Sequence, residues 1–364
     1  MDLIPGELYK RITCRRLGIT ALSSIPHNRP QILPEDEAAV TTVLMSGWIT
    51  SGPRVEALER RFETLLGGGG ACAVSSGTAA LFLALRDLGI GSGSRVALPT
   101  YACSALLNAV YMLGATPIVA DIRADDFTID PMSVSEACDA LVAVHIYGAG
   151  ADIAGCRARA PLVVEDCCQS LGGPQGREGD AAVYSFSATK IVTAGQGGLV
   201  WHHEKVAAAA AQDYRAFDCR ETYQPRFNFL MPDINAALAL SQMERLDAIR
   251  ARRRAIRRVY EAARPAWIDL QSGHEDESIL PYRYVLLFPD PADRDRAQAV
   301  FQAAGIRAEI PVQRFELLHR YLGLDAANFP VAERIVETTL SLPIFPALGE
   351  AEVARVAEVL EQLA

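Results

Sequence analysis

Through the first two thirds of the chain, short apolar runs alternate with longer stretches whose apolar residues recur every three or four positions. The runs at 71–74, 95–98, 117–120, 141–145, 161–164, 181–186 and 199–202 predict strands. Their apolar cores lack the in-and-out alternation of a half-exposed strand, so burial on both faces is expected. The alanine–leucine stretch 79–88 and the stretch 103–113 predict helices between them. Strands alternating with helices in this way imply an α/β fold with a mostly parallel sheet between helices. Ligands of such sheets collect at the C-terminal ends of the strands.

On either side of this block the pattern changes. Residues 34–66 carry helical spacing on both sides of a break, SGWITSGPRV (46–55), whose glycine and proline mark a loop. From 233 to about 263 the spacing predicts one long helix, started by Pro232 and Asp233. Its arginines (Arg250, Arg252, Arg253, Arg254, Arg257 and Arg258) read as a solvated face with packed aliphatic stems. A strand at 282–288, a helix at 292–304, a strand at 307–310 and helices at 331–340 and 350–363 complete a smaller α+β unit. Residues 1–30 show no periodicity and read as an N-terminal extension or an arm that embraces a partner. The expected division is therefore 1–30, a large domain at 31–245 and a small C-terminal domain at 246–364.

Composition narrows the function. The 364 residues are 50% hydrophobic and 22% charged, ample for a large and a small domain. With 35 basic against 44 acidic residues the net charge is −9, which disfavours a nucleic-acid surface. No apolar run approaches the ~18 residues of a membrane helix, and no basic-then-apolar leader opens the chain. A soluble, cytoplasmic protein is expected. The eight cysteines form no CxxC pair and no zinc-like spacing with the histidines, so free thiols and no metal site are expected.

The chemistry concentrates at 163–200, VVEDCCQSLGGPQGREGDAAVYSFSATKIVTAGQGGLV. One apolar run ends on Glu165 and Asp166, and the next leads through Ser185 into a turn that delivers Lys190. A lysine at the end of a buried strand, beside a carboxylate from a neighbouring strand, is costly unless it is paired or used covalently. Schiff-base chemistry is such a use. The plain alternative is an exposed loop lysine and a helix-capping aspartate. Three more features gather at strand ends. Ser76-Gly77-Thr78 between a strand and a helix is an anion-binding arrangement, or simply a cap. Tyr101 stands where an aromatic could lie over a ligand ring, or in the core. In HIYGAGAD (145–152), Gly148 and Gly150 do not make GxGxxG, which disfavours a nicotinamide cofactor. His145 reads as structural.

The segments SGWITSGPRVEALERRF (46–62), SSGTAAL (75–81), LPTYACSALLNAVYMLGATPIVADI (98–122), VVEDCCQSLGG (163–173), YSFSATK (184–190) with GQGGLV (195–200), and FNFLMPDINAALALSQMERLD (227–247) resemble the DegT/DnrJ/EryC1/StrS family of pyridoxal phosphate (PLP)-dependent sugar aminotransferases. The likeness runs in order from about residue 32 onward. It implies the fold-type I aminotransferase architecture and a homodimer with shared active sites. By this resemblance Lys190 matches the lysine that bonds the cofactor, Asp166 the acid on the pyridine nitrogen and Gln169 the position beside the ring's 3-hydroxyl. Gly77, Thr78 and Ser185 match phosphate contacts, Tyr101 the aromatic over the ring, and Asn228 a residue reaching the phosphate from the partner subunit. Two departures stand out: Leu230 replaces a usual basic residue, and Ile191 a usual polar one.

The resemblance implies amino transfer from an amino acid, glutamate by expectation, to a nucleotide-linked keto-sugar. A keto-cyclitol or other antibiotic precursor is the alternative acceptor. A non-catalytic PLP-binding regulatory partner is the third reading, which the Leu230 departure keeps open. As the proton carrier Lys190 would need a pKa well below the usual ~10.4.

Overall fold

The computed structural model describes residues 24–273 and 276–364. In chain order, α1 (Pro34–Ser46) and α2 (Pro53–Leu66) precede β1 (Gly70–Val74), α3 (Gly77–Asp87), β2 (Arg95–Pro99), α4 (Ala105–Met112) and β3 (Thr116–Ala120). Next come β4 (Ala140–Val144), α5 (Ile153–Arg157), β5 (Leu162–Asp166), β6 (Ala181–Ser185), β7 (Gly198–His202) and α6 (Lys205–Tyr214). Helices α7 (Asp233–Glu244) and α8 (Leu246–Ala263) lead to β8 (Asp269–Leu270), β9 (Tyr284–Leu287) and α9 (Pro291–Ala303). The chain closes with α10 (Leu318–Tyr321), α11 (Pro330–Thr338), β10 (Thr339–Leu342) and α12 (Glu350–Glu361).

The expected sheet forms with seven strands in the order β1-β7-β6-β5-β4-β2-β3. Strand β7 is antiparallel to both neighbours, and the other pairs are parallel. Along β2, β4 and β5 successive residues enter different cores. Val96, Leu98, Val142, Val144 and Val164 pack on one face, and Ala97, Leu141, Ala143 and Val163 on the other. This two-residue period is what covered faces require of a pleated strand. A second, antiparallel sheet, β10-β9-β8, packs with α8, α9 and α12 around Tyr260, Phe301, Phe345 and Leu360.

Four details differ from the sequence expectations. The long helix breaks at Arg245, whose φ of −106° and ψ of 11° end α7. Its guanidinium is held by Asp36 of α1 at 2.6 Å, which fixes α7 against α1 while α8 leaves for the second sheet. Residues 307–310 make only an isolated bridge, Glu309 to Ser341, because the amide of Arg307 goes instead to the Ile25 carbonyl. The helix expected at 331–340 ends at Thr338, and the missed strand β10 follows it. Residues 24–30, read as part of an arm, lie on their own chain: Ile25 is buried in the second core and bridges Ile306. Residues 1–23 of that arm lie outside the described residues. Among the described residues, no helix is long and apolar enough to cross a membrane, and the seven described cysteines are free.

Candidate active site

Parallel strands bring their C-terminal ends to one edge of the sheet, and the loops that follow β1, β5 and β6 meet there. Ser76 caps α3, its hydroxyl accepting from the Ala79 amide at 3.1 Å. The preceding amides of the helix, on Gly77 and Thr78, have no acceptor of their own in the helix and face an anion favourably. A Cβ on Gly77 would stand 3.0 Å from Ser185 Cβ and 3.3 Å from Cys168 Sγ. Only glycine lets these three loops close to that distance. The start of β7 wedges in equally tightly, a Cβ on Gly198 falling 2.3 Å from the Ser76 carbonyl oxygen.

Asp166 ends β5 and is 9% exposed, with Oδ1 accepting from the Cys168 amide at 2.9 Å. Ser185 ends β6 and is half-buried, its hydroxyl 3.4 Å from the Ser187 amide. The next turn, closed by the Lys190 amide on the Ser187 carbonyl at 2.9 Å, presents Lys190. Its Nζ stands 5.4 Å from the centre of the Tyr282 ring. Burial alone would lower the Lys190 pKa, but Tyr282, Cys168, Asp166 and Cys103 together outweigh it, and the net shift is upward. The expected depression is therefore absent from the protein's own field. Pairing Asp166 with a cation would take away one of the groups that hold the ammonium charged.

Gln169 spends its side-chain oxygen on the Tyr147 amide at 2.9 Å and keeps its amide nitrogen as a donor. That bond pins a strained turn, since Tyr147 has a φ of 58°. Beneath it, His145 Nδ1 accepts from the Ala151 amide at 3.0 Å and Nε2 donates to Glu165 at 2.8 Å. Glu165 also accepts from the amides of Gly176, Glu178 and Gly179. His145 is thus structural, as expected: it ties the end of β4 to the strand that carries Asp166.

Two expected residues are not drawn into this cluster. Tyr101 is 1% exposed, and edge-on contacts with Phe127 and Tyr147 enclose its ring. A side chain with so little open surface cannot lie over a ligand, so the expectation that it does is corrected. Two positions on, Cys103 is exposed and lies in the field of Lys190. Asn228 is exposed, and among the described residues its side chain has no hydrogen-bond partner. Its neighbours dock on their own β1, the Ser75 amide donating to the Phe229 carbonyl at 2.8 Å and Leu230 bridging Val74.

Sequence reasoning missed the far wall. Asn28 donates to the Thr189 carbonyl at 3.0 Å, next to Lys190, and Tyr282 and Arg283 stand beyond it. Asn28 lies in a stretch without periodicity, and Tyr282 and Arg283 fall at the start of the strand expected at 282–288.

The residues fit PLP. A helix start with free amides, a glycine cradle and a hydroxyl suit a phosphate, a buried carboxylate suits a protonated ring nitrogen, and an amine stands in reach of the same edge. The model of the DegT/DnrJ/EryC1/StrS aminotransferase family matches residues 30–361. Among solved structures, the chain resembles Spr1654 of Streptococcus pneumoniae, which bears the name of a sugar aminotransferase, in its PMP-form. The identity is 25% and the TM-score 0.86, over 93% of this chain and 97% of that one. It resembles the aminotransferase TlmJ of Streptoalloteichus hindustanus at 27% identity and TM-score 0.83, over 93% and 98%. It also resembles S. venezuelae DesV in complex with a ketimine intermediate, at 29% identity and TM-score 0.82, over 90% and 94%. With its motifs in place and its fold shared, the chain belongs to the DegT/DnrJ/EryC1/StrS aminotransferase family and is a PLP-dependent aminotransferase of fold type I.

Proposed function

We propose that the protein moves the amino group of an amino acid, with glutamate as the expected donor, to the keto carbon of a nucleotide-linked sugar. The observation that carries this is the meeting of Lys190 and Asp166 at one sheet edge, beside the glycine cradle of Gly77 and Ser185. The sugar-aminotransferase name of Spr1654 supports the acceptor class.

When bound, PLP supplies the electron sink for the α-carbon. Asp166 would hold the positive charge on the ring nitrogen, and Gln169 would donate from its amide beside the ring. Gly77, Thr78 and Ser185 would hold the phosphate, with Asn228 of a second copy. Lys190 Nζ would take the proton from the amino-acid α-carbon and deliver it to C4′ of the cofactor, on the far side of the nitrogen. We place the division between large and small domains at 245–246, and read the active unit as a cytoplasmic homodimer.

The test is a half-reaction. Purified holoenzyme should be yellow, lose that colour with glutamate and release 2-oxoglutarate, and borohydride should fix the cofactor on Lys190. Nucleotide-linked keto-sugars should restore the colour. Restoration only by keto-cyclitols would replace the sugar with the alternative acceptor, and failure of every amino acid would leave a non-catalytic PLP-binding protein.

A further inference from the structure

Away from the cofactor's cluster, a cavity of about 360 Å³ opens between the loop after Gln169, the end of α2 and the start of α8. None of Gly77, Asp166, Ser185 or Lys190 lines it. Its size falls in the range of about 300–1,000 Å³ that small-molecule sites occupy. Three arginines reach it from three elements: Arg61 of α2, Arg177 of the loop between β5 and β6, and Arg250 of α8. Its floor is apolar, with Leu65, Leu171, Tyr184, Met243 and Leu246.

These cations are poorly matched on their own chain. The Arg61 side chain is half-buried and has no hydrogen bond or ion pair among the described residues. Arg177 gives its two terminal nitrogens to neutral carbonyls, of Pro174 at 2.7 Å and of Leu65 at 3.0 Å. The Arg250 stem lies over Gly172, its Nε is buried without a partner, and Nη1 reaches Asp247 at 3.5 Å, where that carboxylate is 98% exposed. The carboxylates on the cavity's wall, Glu244 and Asp247, are both exposed. Guanidiniums gathered and partly removed from water, against so little opposing charge, are unfavourable, and an anionic ligand accounts for them.

The lining says which anion. A carboxylate offers two oxygens in one plane, which a single guanidinium fork fills, whereas a phosphate offers three, to cations on several sides. Gln175 adds the ligand's body. Its Nε2 is spent on the Gly148 carbonyl at 3.1 Å, which leaves Oε1 at the cavity, buried and without a donor. An acceptor so placed is satisfied by a hydroxyl. We propose that this cavity is a second, non-catalytic site for a small phosphate ester with a hydroxylated body, its phosphate held by Arg61, Arg177 and Arg250. The proposal stands apart from the amino-transfer reading, because the cavity shares no residue with the cofactor's cluster.

Orthophosphate is the first probe, added to holoenzyme saturated with PLP. Equilibrium dialysis should find one phosphate per chain, and Arg61→Gln and Arg250→Gln should each weaken its binding at least about tenfold, the loss of one charge-assisted pair. Arg61→Lys should lose less, since it keeps the charge without the fork. Arg60→Gln changes the neighbouring residue of α2, which is 64% exposed and pairs with Glu56, and should bind as wild type does. Glucose 1-phosphate and AMP test the body. Both esters should bind more tightly than orthophosphate, and the one that gains more identifies a sugar or a nucleotide as the source. The proposal is overturned if wild-type holoenzyme does not bind orthophosphate, or if both glutamine variants, with unchanged melting temperatures, bind it as wild type does. It is equally overturned if neither ester binds more tightly than orthophosphate, or if citrate binds more tightly than either ester and so marks a carboxylate site.

Discussion

Tyr101 and Tyr147 are joined hydroxyl to hydroxyl at 3.0 Å, inside the core beneath the site. The bond links the turn after β2 to the strained turn that Gln169 pins from the other side. Tyr101 therefore acts on the site only through the backbone at 147. Tyr101→Phe keeps the ring and removes one neutral hydrogen bond, so it should lower stability by about 1 kcal/mol and change kcat by no more than a few-fold. Urea unfolding read beside steady-state kinetics checks this. A loss of turnover far beyond the loss of stability would return Tyr101 to the cofactor's side.

Asp166→Asn separates holding the cofactor from using it. The amide fills the same space at the end of β5 but no longer favours a protonated ring nitrogen. The expected outcome is near-normal cofactor content with kcat/KM down about 10- to 100-fold, the equivalent of ~1.5–3 kcal/mol for a charged hydrogen bond. Absorbance of the holoenzyme and initial rates give the two numbers, and turnover within a few-fold of wild type would remove Asp166 from its role.

The strands and the two central site residues were legible because each strand is buried on both faces, so its residues read as an unbroken apolar run. Asp166 and Lys190 are the polar residues that end or follow such runs. What was hidden depends on contacts far apart in sequence. The break at Arg245 falls in a stretch, 233–263, with neither glycine nor proline to mark it, and only its ion pair with Asp36 reveals the change of direction. Strand β10 is four residues long and follows a helix without a loop. The face on which Tyr101 falls is decided one residue earlier, where the Thr100 amide still bonds the Ala120 carbonyl and its hydroxyl meets His319 at 2.7 Å. Arg283 reads as one polar residue in a strand until Tyr282 is seen against Lys190.

Glu165 gives the fold an acid-sensitive tie. Burial would raise its pKa, but the hydrogen bond from His145 and the amides of Gly179 and Gly176 reverse that and hold it at about 2. With the folded value below the ordinary 4.5, its stabilisation is fully present above pH 4.5 and is lost as pH falls toward 2. The shift corresponds to roughly 3 kcal/mol. Glu165→Gln should be destabilised by about that much near neutrality, and its gap from wild type in urea midpoint should narrow steadily as pH falls from about 4.5 toward 2. A gap that stays constant over that range would show that shape, not charge, holds the tie.

The remaining prediction concerns the second copy. The loop that exposes Trp48 and Ile49 is bolted to the start of α7, Asp233 accepting from the amides of Gly52 and Val55 at 2.9 and 3.0 Å. Asn228 lies five residues before Asp233, next to the exposed Phe227. Trp48, Ile49 and Phe227 are about half exposed and Met45 is 83% exposed, so apolar surface flanks an amide without a partner on its own chain. Such surface marks a contact, and in a two-fold dimer the same patch meets itself. If Asn228 completes the other copy's site, Lys190→Ala and Asn228→Ala should each be impaired alone. In an isolated heterodimer of the two, one site has lost both residues and the other holds both intact. That heterodimer should show about half the wild-type activity per dimer. Differently tagged chains, co-expressed and purified through both tags, provide it. Activity no higher than the mean of the two parents would place Asn228 outside the partner's site.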